Sequence, residues 1–145
     1  MLLRVAGLLH EIGSFVSNAA HHKHGYYLIA NSEIFGLNRD DTEVVAHIAR
    51  YHRRSSPKPS HPEYMALPRE SRVVVNKLAA ILRVVDALAR TRGRKLPSPR
   101  FERRGDEFII SLPGAASLLL ERRALAAKGD MFEDIYGMTL RLEEA

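Results

Sequence analysis

The segment 71–90 limits the possible folds of this chain more than any other stretch, because its second half is apolar on every side of a helix. Residues 78–82 read Leu-Ala-Ala-Ile-Leu, and residues 84–85 and 87–89 are also apolar. A helix without a polar face has to be buried on all sides. The sequence therefore predicts a long helix that runs through the core of a mainly α-helical fold.

Shorter helices are predicted on the N-terminal side of this segment. The spacing of apolar residues and the positions of helix-breaking residues place them at 2–12, ending at Gly13, at 24–30, and from an N-cap at Asp40 or Asp41 to about Tyr51. Four prolines between 57 and 68 then predict a loop before the long helix. The first part of the chain is therefore expected to be helical.

A domain boundary is predicted within residues 92–99, which are rich in glycine, proline and basic residues and cannot continue a helix. We place it between Leu96 and Pro97, with one domain over 1–96 and a smaller one over 97–145. Of the 22 basic residues, 15 lie before this boundary with 8 acids, and 7 lie after it with 9 acids. The net charge of +5 therefore divides into +7 and −2, which indicates a polyanionic partner for the first domain.

The smaller domain has the residue pattern of an α+β module. Alternation of apolar and polar residues predicts a hairpin of strands 100–103 and 107–112 and a third strand at 138–143. A helix is predicted between them at 115–128, ended by Gly129. The expected fold is thus mainly α, with a helical bundle followed by a small ββαβ-like module.

The absence of cysteine excludes disulfides, thiolate zinc sites, iron–sulfur clusters and cysteine nucleophiles, and it fits a reducing compartment. No run of residues approaches the ~20 apolar positions that a membrane span requires. We therefore expect a cytoplasmic protein without a membrane partner. Its chemistry depends on histidines, carboxylates, basic residues or hydroxyls.

All seven histidines lie before residue 62, and this asymmetry is the first sign of a site. His52 shares a helix face with apolar residues, so it is either a hydrogen-bonded core residue or a ligand. Asp86 is the only acid in the apolar helix, and a buried carboxylate requires a cation, a metal or strong donors. Its partner is either Arg83 or Arg90 on the same helix or a metal ion, since imidazoles and carboxylates are ligands of Zn, Mn, Fe and Mg.

Four sequence blocks resemble a known family. Residues 8–13 (LLHEIG), 21–32 (HHKHGYYLIANS), 48–53 (IARYHR) and 77–88 (KLAAILRVVDAL) are similar to the HD-type domain in the C-terminal half of the Ppx/GppA phosphatases. These enzymes are exopolyphosphatases and guanosine pentaphosphate phosphohydrolases. Residues 100–144 are similar to the small C-terminal module of the same family. The resemblance implies an HD-like helical bundle, and the broader HD superfamily implies a metal-dependent phosphohydrolase.

The resemblance also implies ligands for a divalent metal such as Mn, Mg, Fe or Zn. By position, the implied ligands are His10 and Glu11 as the superfamily's His-Asp pair, His24 and His52 as histidines of a second metal, and Asp86 as the final aspartate. Two features depart from the superfamily pattern. The acid of the pair is glutamate rather than aspartate, and the upstream histidine of the superfamily has no counterpart in this sequence.

In this family the phosphate chemistry is assigned to an upstream pair of actin-like domains with glycine-rich phosphate loops. No such loop is present in this sequence, where Gly93 and Gly105 stand alone. The resemblance therefore implies that this chain lacks the main catalytic site, and no catalytic residue is predicted. It implies a helper that lengthens an anion channel beside the actin-like half of the same enzyme, or that forms a homodimer.

Five basic residues are candidates for binding polyphosphate or a phosphorylated nucleotide: Lys23, Arg50, Arg53, Arg54 and Lys58. They lie beside the histidines in the sequence, and arginine binds phosphate oxygens bidentately. The alternative is a solvated helix end, where the helix dipole favours cations. Because basic and aromatic residues do not alternate, we expect a phosphate chain rather than a nucleic acid. A stand-alone metal-dependent phosphohydrolase and a purely structural or dimerisation module remain as alternatives.

Overall fold

The protein is described by a computed structural model, in which residues 1–17, 19–53, 55–92, 98–114 and 117–145 are described, Arg92 by its backbone alone. The fold is mainly α with a small three-stranded sheet, as predicted. It divides into two compact units, Met1–Leu82 and Arg83–Ala145. The predicted boundary between Leu96 and Pro97 lies outside the described residues and stays a prediction.

The first unit is entirely helical in its regular structure. It contains α1 (Leu2–Leu9), a 3₁₀ turn (Ile12–Phe15), α2 (His21–Ala30), α3 (Arg39–Arg50), the short α4 (Pro62–Met65) and the first part of α5 (Arg69–Arg92). Helix α4 lies within the segment that the prolines predict to be a loop, with Pro62 at its first turn, where the missing N–H costs nothing.

Helix α3 supplies a large share of the core of the first unit. Its N-cap is Asn38, whose side chain accepts a hydrogen bond from the backbone N–H of Asp41. The predicted caps Asp40 and Asp41 are wrong by two or three residues, and both acids lie instead in the first turn, where the helix dipole favours them. The buried face includes Val45 and Ile48, as the periodicity predicts.

Helix α1 ends at Leu9, earlier than predicted, and the chain continues into the 3₁₀ turn. Gly13 in this turn packs directly against the backbone of α2. A Cβ at this position would overlap the carbonyl of His21 and the amide of Gly25. Glycine is therefore required by the close approach, and this approach holds the end of α1 against the start of α2.

The long helix α5 confirms the prediction from the apolar segment, although its exact bounds are wider. Val75, Ala79, Val84 and Leu88 on it are buried, whereas Val85 is about half exposed. No helix within the described residues is both long and apolar enough to cross a lipid bilayer.

The second unit contains the rest of α5, β1 (Arg100–Arg104), β2 (Glu107–Leu112), α6 (Leu119–Lys128), α7 (Asp130–Tyr136) and β3 (Thr139–Glu144). Strands β1 and β2 form the predicted antiparallel hairpin, turned by Gly105 at a φ of 59°. Strand β3 pairs with β2 in parallel. The predicted single helix is wrong, because Gly129 ends α6 but Asp130 immediately begins α7, so the module has a ββααβ order.

Candidate functional site

Four polar side chains of the first unit meet where three helices begin or end, and we call them the histidine cluster: His10, Glu11, His21 and His52. His10 and Glu11 follow α1, His21 begins α2, and His52 follows α3. The Nε2 atoms of His21 and His52 are 3.2 Å apart, and the carboxylate of Glu11 lies 3.6 Å from His10 Nε2 and 3.7 Å from His21 Nε2. His21 and His52 are buried, whereas Glu11 is about half exposed.

Backbone carbonyls determine which nitrogens of His10 and His52 carry a proton. Nδ1 of His10 lies 2.6 Å from the carbonyl oxygen of Gly7, and Nδ1 of His52 is hydrogen-bonded to the carbonyl of Ala49. A carbonyl oxygen only accepts, so both Nδ1 atoms must donate. In the neutral form of each ring, Nε2 then carries a lone pair, which is the state in which histidine binds a metal.

His21 has the opposite tautomer. Arg53 donates from Nη1 to Nδ1 of His21 over 3.0 Å, and because a guanidinium cannot accept, this Nδ1 carries no proton. The neutral ring therefore has its proton on Nε2, which donates to His52 Nε2. The result is a hydrogen-bonded chain from Arg53 through His21 and His52 to the carbonyl of Ala49.

The donor set of the cluster fits a divalent metal. Ligand atoms of His10, Glu11 and His52 all lie within 4.8 Å of one another. Donors about 2.0–2.2 Å from one ion stand roughly 3–3.5 Å apart. Small side-chain rotations would bring the three atoms around an ion if His52 Nε2, which has a single lone pair, gave up its hydrogen bond from His21. His21 is the member of the cluster that the sequence reasoning missed, and its proton on Nε2 makes it a neighbour of such an ion rather than a ligand.

The other two predicted ligands lie elsewhere. His24 is half-buried on α2, outside the group of three ligand atoms. Asp86 lies in the second unit, where its carboxylate accepts from Arg90 Nε at 2.9 Å and from Lys128 Nζ at 2.5 Å. Arg90 is thus one of the two partners that the sequence allowed. Metal-ligating roles for His24 and Asp86 stay predictions.

Arg83, the other partner considered for Asp86, forms a different ion pair. Its Nη2 atom donates to the carboxylate of Asp130 at 3.2 Å and its Nε to the carbonyl of Lys128 at 3.3 Å. Only 1% of the side chain of Arg83 is exposed. The buried charges of Arg83 and Asp86 are therefore matched by opposite charges from α6, α7 and α5 itself.

A concave surface with a volume of about 380 Å³ lies at the start of α2 and the end of α3, and we call it the cationic pocket. Its lining residues are Ala20, His22, Lys23, Arg50, Tyr51, Ser55 and His61. Two of the five predicted phosphate-binding residues, Lys23 and Arg50, are among them. None of these lining residues is acidic.

The electrostatics of the two lining histidines show where the predicted cations act. Burial lowers the pKa of His22 to about 4, with additional lowering by Arg53, His21, Lys23 and Arg50. The pKa of His61 is also lowered, by partial burial first and then by Arg50, Lys58 and Lys23. Four of the five predicted cations thus act on the histidines of one pocket. The fifth, Arg54, lies outside the described residues.

Arg50 is held in place by its neighbours. Its guanidinium carbon lies 5.4 Å from the ring centre of Tyr26 and 5.5 Å from that of Tyr51, which are cation–π distances. Its one described acidic neighbour is Glu63, at 3.5 Å, whose side chain is half exposed. A solvated ion pair of this kind is weak, so Arg50 keeps most of its ability to attract an anion.

Comparison with known proteins decides the family. Residues 1–129 match the family model described as Ppx/GppA phosphatase, domain III. The chain belongs to the Ppx/GppA phosphatase family. The resemblance read from the four sequence blocks is thereby confirmed.

One relative in this family is the protein named guanosine-5'-triphosphate,3'-diphosphate pyrophosphatase of Pseudoalteromonas translucida (strain TAC 125). It is 35% identical over 52 residues, which are 36% of this chain and 10% of the relative. The chain thus matches about a tenth of the length of this Ppx/GppA relative.

Proposed function

We propose that this chain acts in a Ppx/GppA phosphatase as an anion-binding domain, which holds polyphosphate or a phosphorylated nucleotide for the actin-like catalytic half of the enzyme. The observation that carries the proposal is that Lys23 and Arg50 line one pocket beside His22 and His61. After burial, the charges of Arg53 and Lys58 also contribute to lowering the pKa of these histidines. Cations at separate helix ends would be explained by helix dipoles alone. Cations that act on the same pocket, without an acid in its lining, favour a bound anion.

The name of the relative from Pseudoalteromonas describes a nucleotide with a 5'-triphosphate and a 3'-diphosphate. A linear polyphosphate and such a nucleotide share a chain of phosphoryl groups. Arginine and lysine contact that chain through its oxygens, regardless of what is attached to it. The proposed ligand class is therefore a chain of linked phosphoryl groups.

Binding of linear polyphosphate by isothermal titration calorimetry tests this proposal. Each cation–phosphate contact contributes roughly 0.7 to the slope of log affinity against log salt, if polyphosphate behaves as a single-stranded nucleic acid does. Three such contacts predict a slope of about −2. Lys23→Glu combined with Arg50→Gln should weaken binding by at least ~10-fold, because hydrogen bonds to charged groups are lost.

The matched control is Arg4→Gln, which removes an exposed cation of the same unit on α1. It should bind polyphosphate within about 2-fold of the wild type, since a distant exposed charge is screened. Affinity that does not depend on salt, or that is equal in the double variant and the wild type, contradicts the proposal.

A second function is favoured by one observation, the meeting of ligand atoms from His10, Glu11 and His52. With a divalent ion there, the first unit would be a metal-dependent phosphohydrolase in its own right. Such an ion lowers the pKa of bound water and polarises a phosphoryl oxygen. In that state the hydrogen bond from His21 to His52 would be broken, and Lys23 and Arg50 would bind the phosphates of the substrate.

Metal content decides this second function. Elemental analysis of the purified protein, before and after incubation with Mn²⁺, should give close to one equivalent, and His52→Gln should lower it several-fold. Hydrolysis of a phosphomonoester should follow the metal content. Less than roughly one-tenth of an equivalent, with no hydrolysis in Mn²⁺, rejects it and leaves the cluster a structural hydrogen-bond network.

A further inference from the structure

We propose that the cationic pocket is a defined subsite for a single phosphoryl group, in which His61, positioned by Tyr51, donates a neutral N–H hydrogen bond to a phosphate oxygen. This inference rests on the proposed anion-binding function and adds to it the two residues, Tyr51 and His61, that no charge argument selects.

Tyr51 fixes the ring of His61 by two contacts. The hydroxyl oxygen of Tyr51 lies 2.7 Å from His61 Nδ1, and the two rings are stacked with centres 5.6 Å apart and planes 14° apart. Tyr51 itself is fully buried at the end of α3. A half-buried histidine that precedes α4 is thereby held by the core of the unit.

The direction of this hydrogen bond follows from the chemistry of the two groups. A phenol is a stronger acid than the N–H of a neutral imidazole, and an imidazole nitrogen is a stronger base than a phenol oxygen, so Tyr51 donates and Nδ1 accepts. The proton of neutral His61 is then on Nε2, and Nε2 is a donor.

The other lining groups complete a set of donors suited to a tetrahedral oxyanion. Lys23 and Arg50 supply charged N–H groups, whereas the hydroxyl of Ser55 donates to the carbonyl of Ser56 over 3.4 Å. A phosphoryl group presents several oxygens to donors from different directions, and its negative charge is favoured by the cations that act on His22. The lining residues provide no carboxylate that would repel it.

A neutral donor distinguishes a subsite from a diffuse basic surface. On a diffuse surface, affinity depends on the number of cations, and removal of a neutral side chain leaves both the affinity and its salt dependence unchanged. In a subsite, removal of His61 Nε2–H lowers the affinity while the salt dependence remains, because no charge has been changed. Variants of Tyr51 and His61 therefore test the inference without altering the net charge at neutral pH.

The experiment is calorimetric titration with tripolyphosphate at two salt concentrations. Tyr51→Phe and His61→Asn should each weaken binding roughly 3- to 10-fold, with the salt slope of the wild type. His61→Gln, whose amide nitrogen lies near the position of Nε2, should recover part of the loss, whereas asparagine places its amide near Nδ1. Lys23→Gln should weaken binding and also reduce the salt slope.

Parallel titrations with GTP distinguish the two sources of the phosphoryl group. Tighter binding of tripolyphosphate than of GTP assigns the pocket to an inorganic chain, and the reverse order assigns it to a nucleotide, provided that both bindings weaken in His61→Asn.

Thermal unfolding of each variant is measured beside the titration. Tyr51→Phe keeps the ring, so this variant is expected to unfold within a few degrees of the wild type.

Equal affinities of the wild type, Tyr51→Phe and His61→Asn, with a loss in Lys23→Gln alone, overturn the subsite but leave the proposed anion-binding function in place. No measurable binding of tripolyphosphate, GTP or long polyphosphate by the wild type overturns both. The two failures are therefore distinguishable.

Discussion

The two units of this chain bury ionisable side chains in opposite ways. Among the described residues of the second unit, the buried Arg83 pairs with Asp130, and the buried Asp86 pairs with Arg90 and Lys128. In the first unit, the buried groups are histidines, and the nearby charges at the cationic pocket are mainly positive. Paired opposite charges stabilise a fold and leave little electrostatic field to attract a ligand. An excess of charge of one sign attracts a ligand of the opposite sign. The difference is the one that the proposed anion-binding function predicts, with structural ion pairs in the second unit and a positive field in the first.

The largest effect is expected from a substitution that breaks the ion pairs of Asp86 in the second unit. Asp86→Ala removes the carboxylate that binds Arg90 and Lys128 and leaves Lys128 without this partner. We expect a loss of about 2–4 kcal/mol in the free energy of unfolding, measured with urea, and an unchanged affinity for tripolyphosphate. The control Asp134→Ala removes an exposed acid of the same unit and should cost less than ~0.5 kcal/mol. Loss of anion affinity in Asp86→Ala without loss of stability would contradict this assignment.

A smaller effect tests how the first unit assembles its site. Gly13→Ala places a methyl group where the 3₁₀ turn touches the backbone of α2, so we expect destabilisation of about 1–3 kcal/mol. Gly7→Ala is the matched control, because a methyl group there has nothing within 4 Å and Gly7 lies inside α1.

Gly7→Ala should stabilise the protein by about 0.5–1 kcal/mol, since alanine is the better helix former. Urea unfolding of the two variants provides the comparison. Equal effects of the two substitutions would show that the close approach at Gly13 does not contribute to stability.

The smallest effect concerns the pH dependence of the first unit. His47 is fully buried, and burial lowers its pKa from the usual 6.5 of histidine, although the carbonyl and carboxylate of Glu43 oppose the shift. The unfolded chain therefore binds a proton at a higher pH than the folded one. Stability is retained above about pH 6.5 and falls as the pH is lowered below it.

Urea unfolding at a series of pH values measures this loss. His47→Gln removes one of three histidines with a lowered pKa, the others being His22 and His61, and should reduce the loss of stability in acid. The control His24→Gln on α2 should leave the profile closer to that of the wild type. If His47→Gln loses as much unfolding free energy at low pH as the wild type, the pH dependence belongs to other groups.

Much of the fold follows from the sequence because its signals are local. The hairpin of β1 and β2 is determined by alternation around Gly105, and the burial of α5 by its apolar composition. Helix α7 was missed because a glycine such as Gly129 ends a helix without excluding another directly after it. Strong local patterns predict helices and strands, but they do not predict how short the connection between two consecutive helices is.

The site was less predictable because its contacts are not local. The residues at 21–24 include three histidines, and the side of α2 on which each histidine lies depends on where the helix begins. The helix begins at His21, after Ala20 in a left-handed conformation with a φ of 53°, which alanine rarely adopts. No residue signal marks this start, so the sequence does not show that His21 reaches the cluster, and His24 is predicted only from the family resemblance. The pair of Asp86 with Lys128 joins residues 42 positions apart and is equally invisible to spacing.

The central claim is that the first unit, and not the second, holds the phosphate chain. An NMR titration of the labelled protein with tripolyphosphate measures this directly. We predict that the backbone resonances of Lys23, Tyr51 and His61 shift with one common affinity, while those of the arginine-rich strand β1 and of Asp86 do not. Shifts confined to β1, or spread evenly over the basic residues of both units, would contradict it.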